Sequence, residues 1–94
     1  MAGGPPTTID GAVVQKYVWL GHREPTGNTR HFVGGEQVVT FAALAIASYE
    51  GDEGIYLFYC DEQWETVTDT FHLSVDDALH QAEVEFGPVT FLDA

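Results

Sequence analysis

The sequence lacks the marks of a secreted or membrane-bound protein. Cys60 is the one cysteine among 94 residues, so the chain cannot form an internal disulfide, and nothing indicates an oxidising compartment. The start, MAGGPPTTIDG, has neither the basic nor the apolar segment of a signal peptide. The longest apolar run, residues 38–47, is interrupted by Thr40 and is shorter than the roughly 20 residues that span a bilayer. We therefore expect a cytoplasmic protein without a membrane partner.

Strong bases are missing from the second half of the chain. Residues 1–47 hold three acids and three strong bases, whose charges cancel, while residues 48–94 hold twelve acids and no lysine or arginine. The net charge of −12 therefore belongs entirely to the second half. Such a surface repels nucleic acid and anionic lipid and attracts a basic protein. The alternative interpretation is that the acidic surface only keeps a small protein soluble.

Motifs for metal binding or catalysis are also scarce. There is no CxxC or HExxH pattern, and His72 and His80 do not have a known ligand spacing. Cys60 ends an apolar segment beside Asp61 and Glu62, whose charges raise the pKa of a thiol and weaken it as a nucleophile. We therefore predict no metal, no cofactor and no catalytic residue, and a binding protein is favoured over an enzyme.

The residue pattern predicts one α+β domain, an antiparallel sheet of about four strands with one C-terminal helix packed on one face. Residues 1–10 are rich in glycine and proline and are predicted to be a disordered lead-in to a domain spanning residues 11–94. The clearest predicted strands cover residues 12–20, 55–60 and 65–72. The preceding segment is ambiguous. A strand over 43–49 that pairs with 55–60 competes there with a helix over 38–46.

The C-terminal helix has the strongest local signal. Ser74 is a good N-cap residue with Asp77 at N3, and Asp76 and Asp77 suit the positive end of the helix dipole. Apolar residues then recur every three or four positions, at Val75, Ala78, Leu79, Ala82 and Phe86. A Gly-Pro pair at 87–88 ends the helix, and residues 88–92 can add a short final strand.

Residues 43–87 resemble a group of small uncharacterised bacterial proteins in three short segments, YLFYCDEQW, TDTFH and QAEVEF. That resemblance implies no established activity. More loosely, a hairpin followed by the acidic helix DDALHQAE is similar to the HicB-type antitoxin half-domain, although no appended DNA-binding segment is found in this sequence. The second resemblance implies a protein that binds a toxin.

The predicted partner-binding surface combines one turn with the acidic helix. Trp64 lies in the turn, either exposed within a rim of Asp61, Glu62 and Glu65 or folded under the hairpin. The helix contributes three further acids, Asp76, Asp77 and Glu83. We predict an acidic protein-binding module that neutralises or regulates a basic partner, of the immunity-protein or antitoxin type. Self-association through an edge strand into a homodimer is a further hypothesis.

The alternative function is the binding of a small ligand or anion. The loop GHREPTGNTRHF brings His22, Arg23, Arg30 and His31 together within ten residues. Arginine offers a planar fork that suits a carboxylate or phosphate. The competing interpretation is that these arginines form salt bridges with the protein's own acidic half, each exposed pair contributing about 0.2–1 kcal/mol.

Overall fold

The protein, represented by a computed structural model, is described over residues 4–20, 31–33, 36–38 and 41–94. Along the chain the elements are β1 (Thr8–Ile9), β2 (Ala12–Trp19), β3 (His31–Val33), β4 (Glu36–Val38), β5 (Ala43–Ser48), β6 (Ile55–Cys60), β7 (Thr66–His72), α1 (Val75–Phe86) and β8 (Leu92–Asp93). The α+β architecture is confirmed. The antiparallel main sheet has six strands rather than about four, because β1 and β8 add short edge segments.

The main sheet follows the order β1-β2-β5-β6-β7, with β8 also pairing with β2, while β3 and β4 form a separate two-stranded ladder. The predicted hairpin of β5 and β6 is confirmed, with Ala43 opposite Cys60 and Ala47 opposite Tyr56. The competing helix over 38–46 is therefore wrong where it overlaps β5. Alanine is common in this strand because both of its faces are buried and small side chains fit there.

Part of the predicted disordered lead-in is a strand. Ile9 is buried, and β1 pairs with the start of β2 through Ile9 opposite Ala12. The connection is the dipeptide Asp10-Gly11, with φ values of 50° and 85°. An Asp-Gly pair with two positive φ values is typical of a two-residue hairpin turn. Because β1 has only two residues, the sequence before this turn shows no strand pattern, and the strand was not predicted.

The sheet buries side chains on both faces. One face carries Leu44, Ile46, Leu57 and Tyr59, and these residues pack under Ala78, Ala82 and Phe86 of α1. The opposite face forms a second cluster, whose buried members are Ile9, Ala12, Val14, Ala43, Ala45, Ala47, Phe58, Cys60 and Trp64. This double burial explains why the segment IYLFYC is apolar at every position.

Helix α1 begins and ends where its sequence signals predicted. The Asp77 amide donates to the Ser74 hydroxyl oxygen at 3.1 Å, and Gly87, with φ of 76°, donates its amide to the Glu83 carbonyl at 2.9 Å. The carboxyl-bearing Glu85 is also buried along this helix, although it lies outside the predicted apolar stripe. Within the described ranges, no helix is both long enough and apolar enough to cross a membrane.

Candidate functional site

Trp64 is buried, so the hypothesis of an exposed tryptophan anchor is wrong and the folded-under alternative is confirmed. Its side chain is 8% exposed and meets Trp19 and Tyr17 edge-on, with ring centroids 4.7 and 6.0 Å apart. The rings lie on the face opposite α1, in the cluster that contains Cys60. Burial leaves the Trp64 Nε1 with no hydrogen-bond partner among the described residues, which is an unfavourable contribution to stability.

The backbone of the turn directs Trp64 inward. Trp64 has a positive φ of 63°, and its amide donates to the Asp61 carbonyl at 3.1 Å. The Asp61 carboxylate accepts the amides of Gln63 and Glu65 at 2.8 and 2.9 Å. Asp61 is therefore a turn-stabilising residue, while Glu65 projects into solvent.

The predicted partner-binding acids do not form one continuous surface. Glu62 and Glu65 precede β7, whereas Asp76 and Asp77 follow it at the start of α1. A seven-residue strand rises about 3.3 Å per residue, so the two groups lie roughly 20 Å apart. Glu83 is exposed farther along α1, beside an open pocket of about 270 Å³ that Lys16 and Leu79 also line.

Carboxylates supply most of the charged side chains on the described surface. Eleven aspartates and glutamates are exposed there: Asp10, Glu50, Asp52, Glu53, Glu62, Glu65, Asp69, Asp76, Asp77, Glu83 and Asp93. Lys16 is the one lysine or arginine among the described residues, and its ammonium lies 2.6 Å from the Asp93 carboxylate. This contact holds the pKa of Asp93 below its usual value, first through the hydrogen bond and then through the charge of Lys16.

An aromatic row, consisting of Tyr49, Tyr56 and Phe71, crosses the face of the sheet opposite α1. Tyr56 meets Tyr49 on one side and Phe71 on the other, with centroids 5.3 Å apart in both pairs. Phe71 on β7 is 55% exposed. Its exposure had a usable sequence signal, because alternate residues of a strand share a face and Phe71 therefore lies on the same face as the charged Asp69.

A carboxylate, an imidazole and a hydroxyl are linked where β7 meets α1. His72 is buried, with Nδ1 2.9 Å from an Asp77 carboxylate oxygen and Nε2 2.6 Å from the Thr70 hydroxyl oxygen. Since an ionised carboxylate only accepts, the His72 Nδ1–H donates to Asp77. The same order of groups occurs in Ser-His-Asp hydrolases. Here the three side chains connect the edge strand to the first turn of the helix, and we interpret them as a clamp on α1.

A second polar contact lies deeper beneath the helix. The Tyr59 hydroxyl on β6 donates to the carboxylate of Glu85, which is 1% exposed. Burial, followed by the hydrogen bond to Glu85, raises the pKa of Tyr59 well above its usual value of 10.0. Neither partner was predicted to be functional or structural in this way, because Tyr59 and Glu85 are 26 residues apart in the chain.

Cys60 is buried on the opposite face and is a free thiol. Burial, followed by the charges of Asp61 and Asp10, raises its pKa from 9.0 to about 12. The direction agrees with the sequence prediction, although desolvation contributes more than the neighbouring carboxylates. A thiol in this state is a poor nucleophile at neutral pH.

The predicted anion-binding loop falls largely outside the described residues. His22, Arg23 and Arg30 lie outside them, and His31 is described only through its backbone as the first residue of β3. The small-ligand alternative therefore stays a prediction.

Comparison with models of protein families, with curated proteins and with solved structures finds no match for this chain. The resemblances to small bacterial proteins and to the HicB-type half-domain accordingly remain predictions that rest on the quoted residues.

Proposed function

We propose that this protein is an acidic protein-binding module that neutralises or regulates a basic protein, in the manner of an immunity protein or antitoxin. The observation that carries the proposal is the imbalance of the described surface, where eleven exposed carboxylates accompany a single lysine already paired with Asp93. Opposite charges across an interface accelerate association and suppress wrong partners. The cytoplasm is the proposed place of action.

Neutralisation follows from competition for a positively charged surface. A protein that binds nucleic acid carries lysine and arginine groups that contact phosphates. An acidic module can occupy those groups, while its own charge repels the nucleic acid. Within the predicted set, Glu62, Glu65, Asp76 and Glu83 are exposed and suited to this role, whereas Asp61 also stabilises its own turn and Asp77 contacts His72.

The proposal is tested by capture at low salt. The immobilised protein is exposed to a lysate of its source cells, and bound proteins are released with about 0.5 M salt, where charge attractions are screened within roughly 4–5 Å. We expect mass spectrometry to identify a basic protein that purified components then reconstitute as a complex.

Charge-neutral variants make this test specific. Glu62→Gln with Glu65→Gln probes the turn, and Asp76→Asn with Glu83→Gln probes the helix. We expect at least one pair to slow association with the captured protein, because removing charge weakens electrostatic steering. The proposal is wrong if the captured proteins are no more basic than the lysate as a whole and both double variants associate with them as fast as the natural chain does.

A further inference from the structure

The aromatic row is held in a fixed arrangement rather than left as loose exposed rings. Phe71 packs on the backbone of Gly54, where a Cβ would collide with the phenyl ring. Gly54 is itself held by its amide, which donates to the Asp52 carboxylate at 2.8 Å. Tyr56 then contacts Phe71 edge-on, at an interplanar angle of 68°. A large exposed ring supported in this way loses little conformational freedom when a partner binds.

Exposed carboxylates belong to residues that lie next to this row. Asp69 is exposed two residues before Phe71 on the same face of β7, and Glu53 is exposed directly before Gly54. At the other end of the row, the exposed Asp10 precedes Gly11, whose backbone lies beside the Tyr49 ring. We call Asp10, Glu53 and Asp69 the acidic rim. An aromatic centre with a charged edge is the usual composition of a protein-binding surface.

We propose that the aromatic row receives arginine side chains of the basic partner, an inference that rests on the proposed function. A guanidinium stacks on the face of a tyrosine or phenylalanine ring, and its N–H groups form paired hydrogen bonds with carboxylates. The row supplies the rings, and Glu53 and Asp69 supply the carboxylates. Lysine fits less well, because its compact ammonium is more strongly hydrated and has no planar face.

The charge of the rim argues against a second copy of this chain as the occupant. In a two-fold symmetric dimer, the same patch of both copies meets at the interface. The acidic rim would then face an identical acidic rim, and opposed like charges destabilise a complex. The complementary occupant is a cationic one.

The test uses the full chain and two short peptides, one alternating arginine with glycine and the other lysine with glycine, titrated at low salt. Binding is followed by calorimetry and by the NMR signals of the aromatic rings. The variants are Phe71→Ala and Phe71→Leu, which separate loss of the ring from loss of apolar area. Leu92→Ala is the matched control, because Leu92 is 54% exposed on β8, which pairs with β2 at the other side of the sheet.

We expect the arginine peptide to bind more tightly than the lysine peptide and to shift the Phe71 and Tyr56 ring signals. Phe71→Ala should weaken the arginine peptide about 5-fold, as expected for the loss of a cation–π contact. Phe71→Leu should weaken it nearly as much, and Leu92→Ala should leave it unchanged. Circular dichroism checks that each variant is folded.

Three outcomes overturn this inference in distinguishable ways. If Glu53→Gln with Asp69→Asn weakens binding but Phe71→Ala does not, the attraction is purely electrostatic and the proposed function survives. If neither peptide binds the natural chain at low salt, the row does not receive arginine side chains, and the low-salt capture decides the proposed function separately. If the natural chain sediments as a dimer that Phe71→Ala dissociates, the row is covered by a second copy.

Discussion

The helix-covered face of the sheet and the opposite face differ in how their polar side chains are paired. Beneath α1 the buried Tyr59 donates to the buried Glu85, and the buried His72 contacts Asp77 at the exposed start of the helix. On the opposite face the buried Trp64 Nε1 has no partner among the described residues, and at the edge the exposed Asp69 accompanies the exposed ring of Phe71.

This difference suggests separate tests for the two faces. Hydrogen bonds between specific partners help to fix where α1 sits, because a displaced helix would leave the buried Tyr59, His72 and Glu85 side chains without those partners. On the opposite face, the exposed ring of Phe71 is the group that we propose contacts a partner. Variants of Phe71 should therefore change binding more than stability, and variants beneath α1 should change stability more than binding.

The largest expected effect is a loss of stability in alkali. Burial raises the pKa of Tyr59 above 10.0 and that of Cys60 from 9.0 to about 12, so the folded state favours the neutral form of both groups. Their contribution is complete below the unfolded pKa values and is lost as pH rises towards the folded ones. Above pH 10 the free energy of unfolding should therefore fall, by up to about 1.4 kcal/mol per pH unit for each of the two groups.

The effects of Cys60 and Tyr59 can be distinguished by the pH range in which each appears and by a Cys60 variant. Between pH 8 and 10 the thiol alone contributes substantially, so the natural chain should lose about 1–2 kcal/mol there in urea unfolding. In Cys60→Ala the free energy of unfolding should change little between pH 8 and 10. The variant is less stable than the natural chain at pH 8 because of the cavity that it creates. A natural chain that is equally stable at pH 8 and 10 would contradict the assigned burial of Cys60.

The next effect compares the hydroxyls of two tyrosines on opposite faces of β6, Tyr56 and Tyr59. Tyr59→Phe removes the donor that faces the buried Glu85 carboxylate and should lower the free energy of unfolding by about 2 kcal/mol. Tyr56→Phe keeps the ring of the aromatic row and should change it by less than about 0.5 kcal/mol. Thermal and urea unfolding measure both. Equal losses would mean that the two faces do not differ in polar burial.

The smallest effect compares two aspartates in the first turn of α1. Both Asp76 and Asp77 interact with the helix dipole, but Asp77 also contacts His72. Asp77→Asn should therefore cost about 1–1.5 kcal/mol at neutral pH and Asp76→Asn about 0.5 kcal/mol. Hydrogen exchange of the first-turn amides should increase more in Asp77→Asn. If the order of the two variants is reversed, His72 does not clamp the helix.

Local signals predicted the elements that depend on neighbouring residues. Ser74 and Gly87 act within one helical turn of the backbone groups they bind, so the bounds of α1 were readable. The β5–β6 hairpin was predicted from the glycines between two apolar segments, in competition with a helix over 38–46. By contrast, β1 was missed, because two residues are too few to establish a strand pattern around Asp10-Gly11.

The candidate site was predicted less well than the fold. Its charge was evident from composition, but the sequence left open whether Trp64 is exposed and did not single out Phe71. The structure buries Trp64 and exposes Phe71. Both are large aromatic residues close to acids, so composition does not separate them. The difference depends on a positive φ at Trp64 and on the edge position of β7.

The amino-acid sequence by itself determined the charge and the capped helix, since these depend on residue type or on contacts between chain neighbours. It proposed the pairing of β5 with β6, but the structure was needed to exclude the competing helix. Only the tertiary structure decided which side chains meet across distant segments. It placed Tyr59 against Glu85, turned Trp64 inward against Trp19, and left Phe71 at the sheet edge above Gly54. Such encounters depend on the packing of whole elements, and no local pattern of residues specifies them.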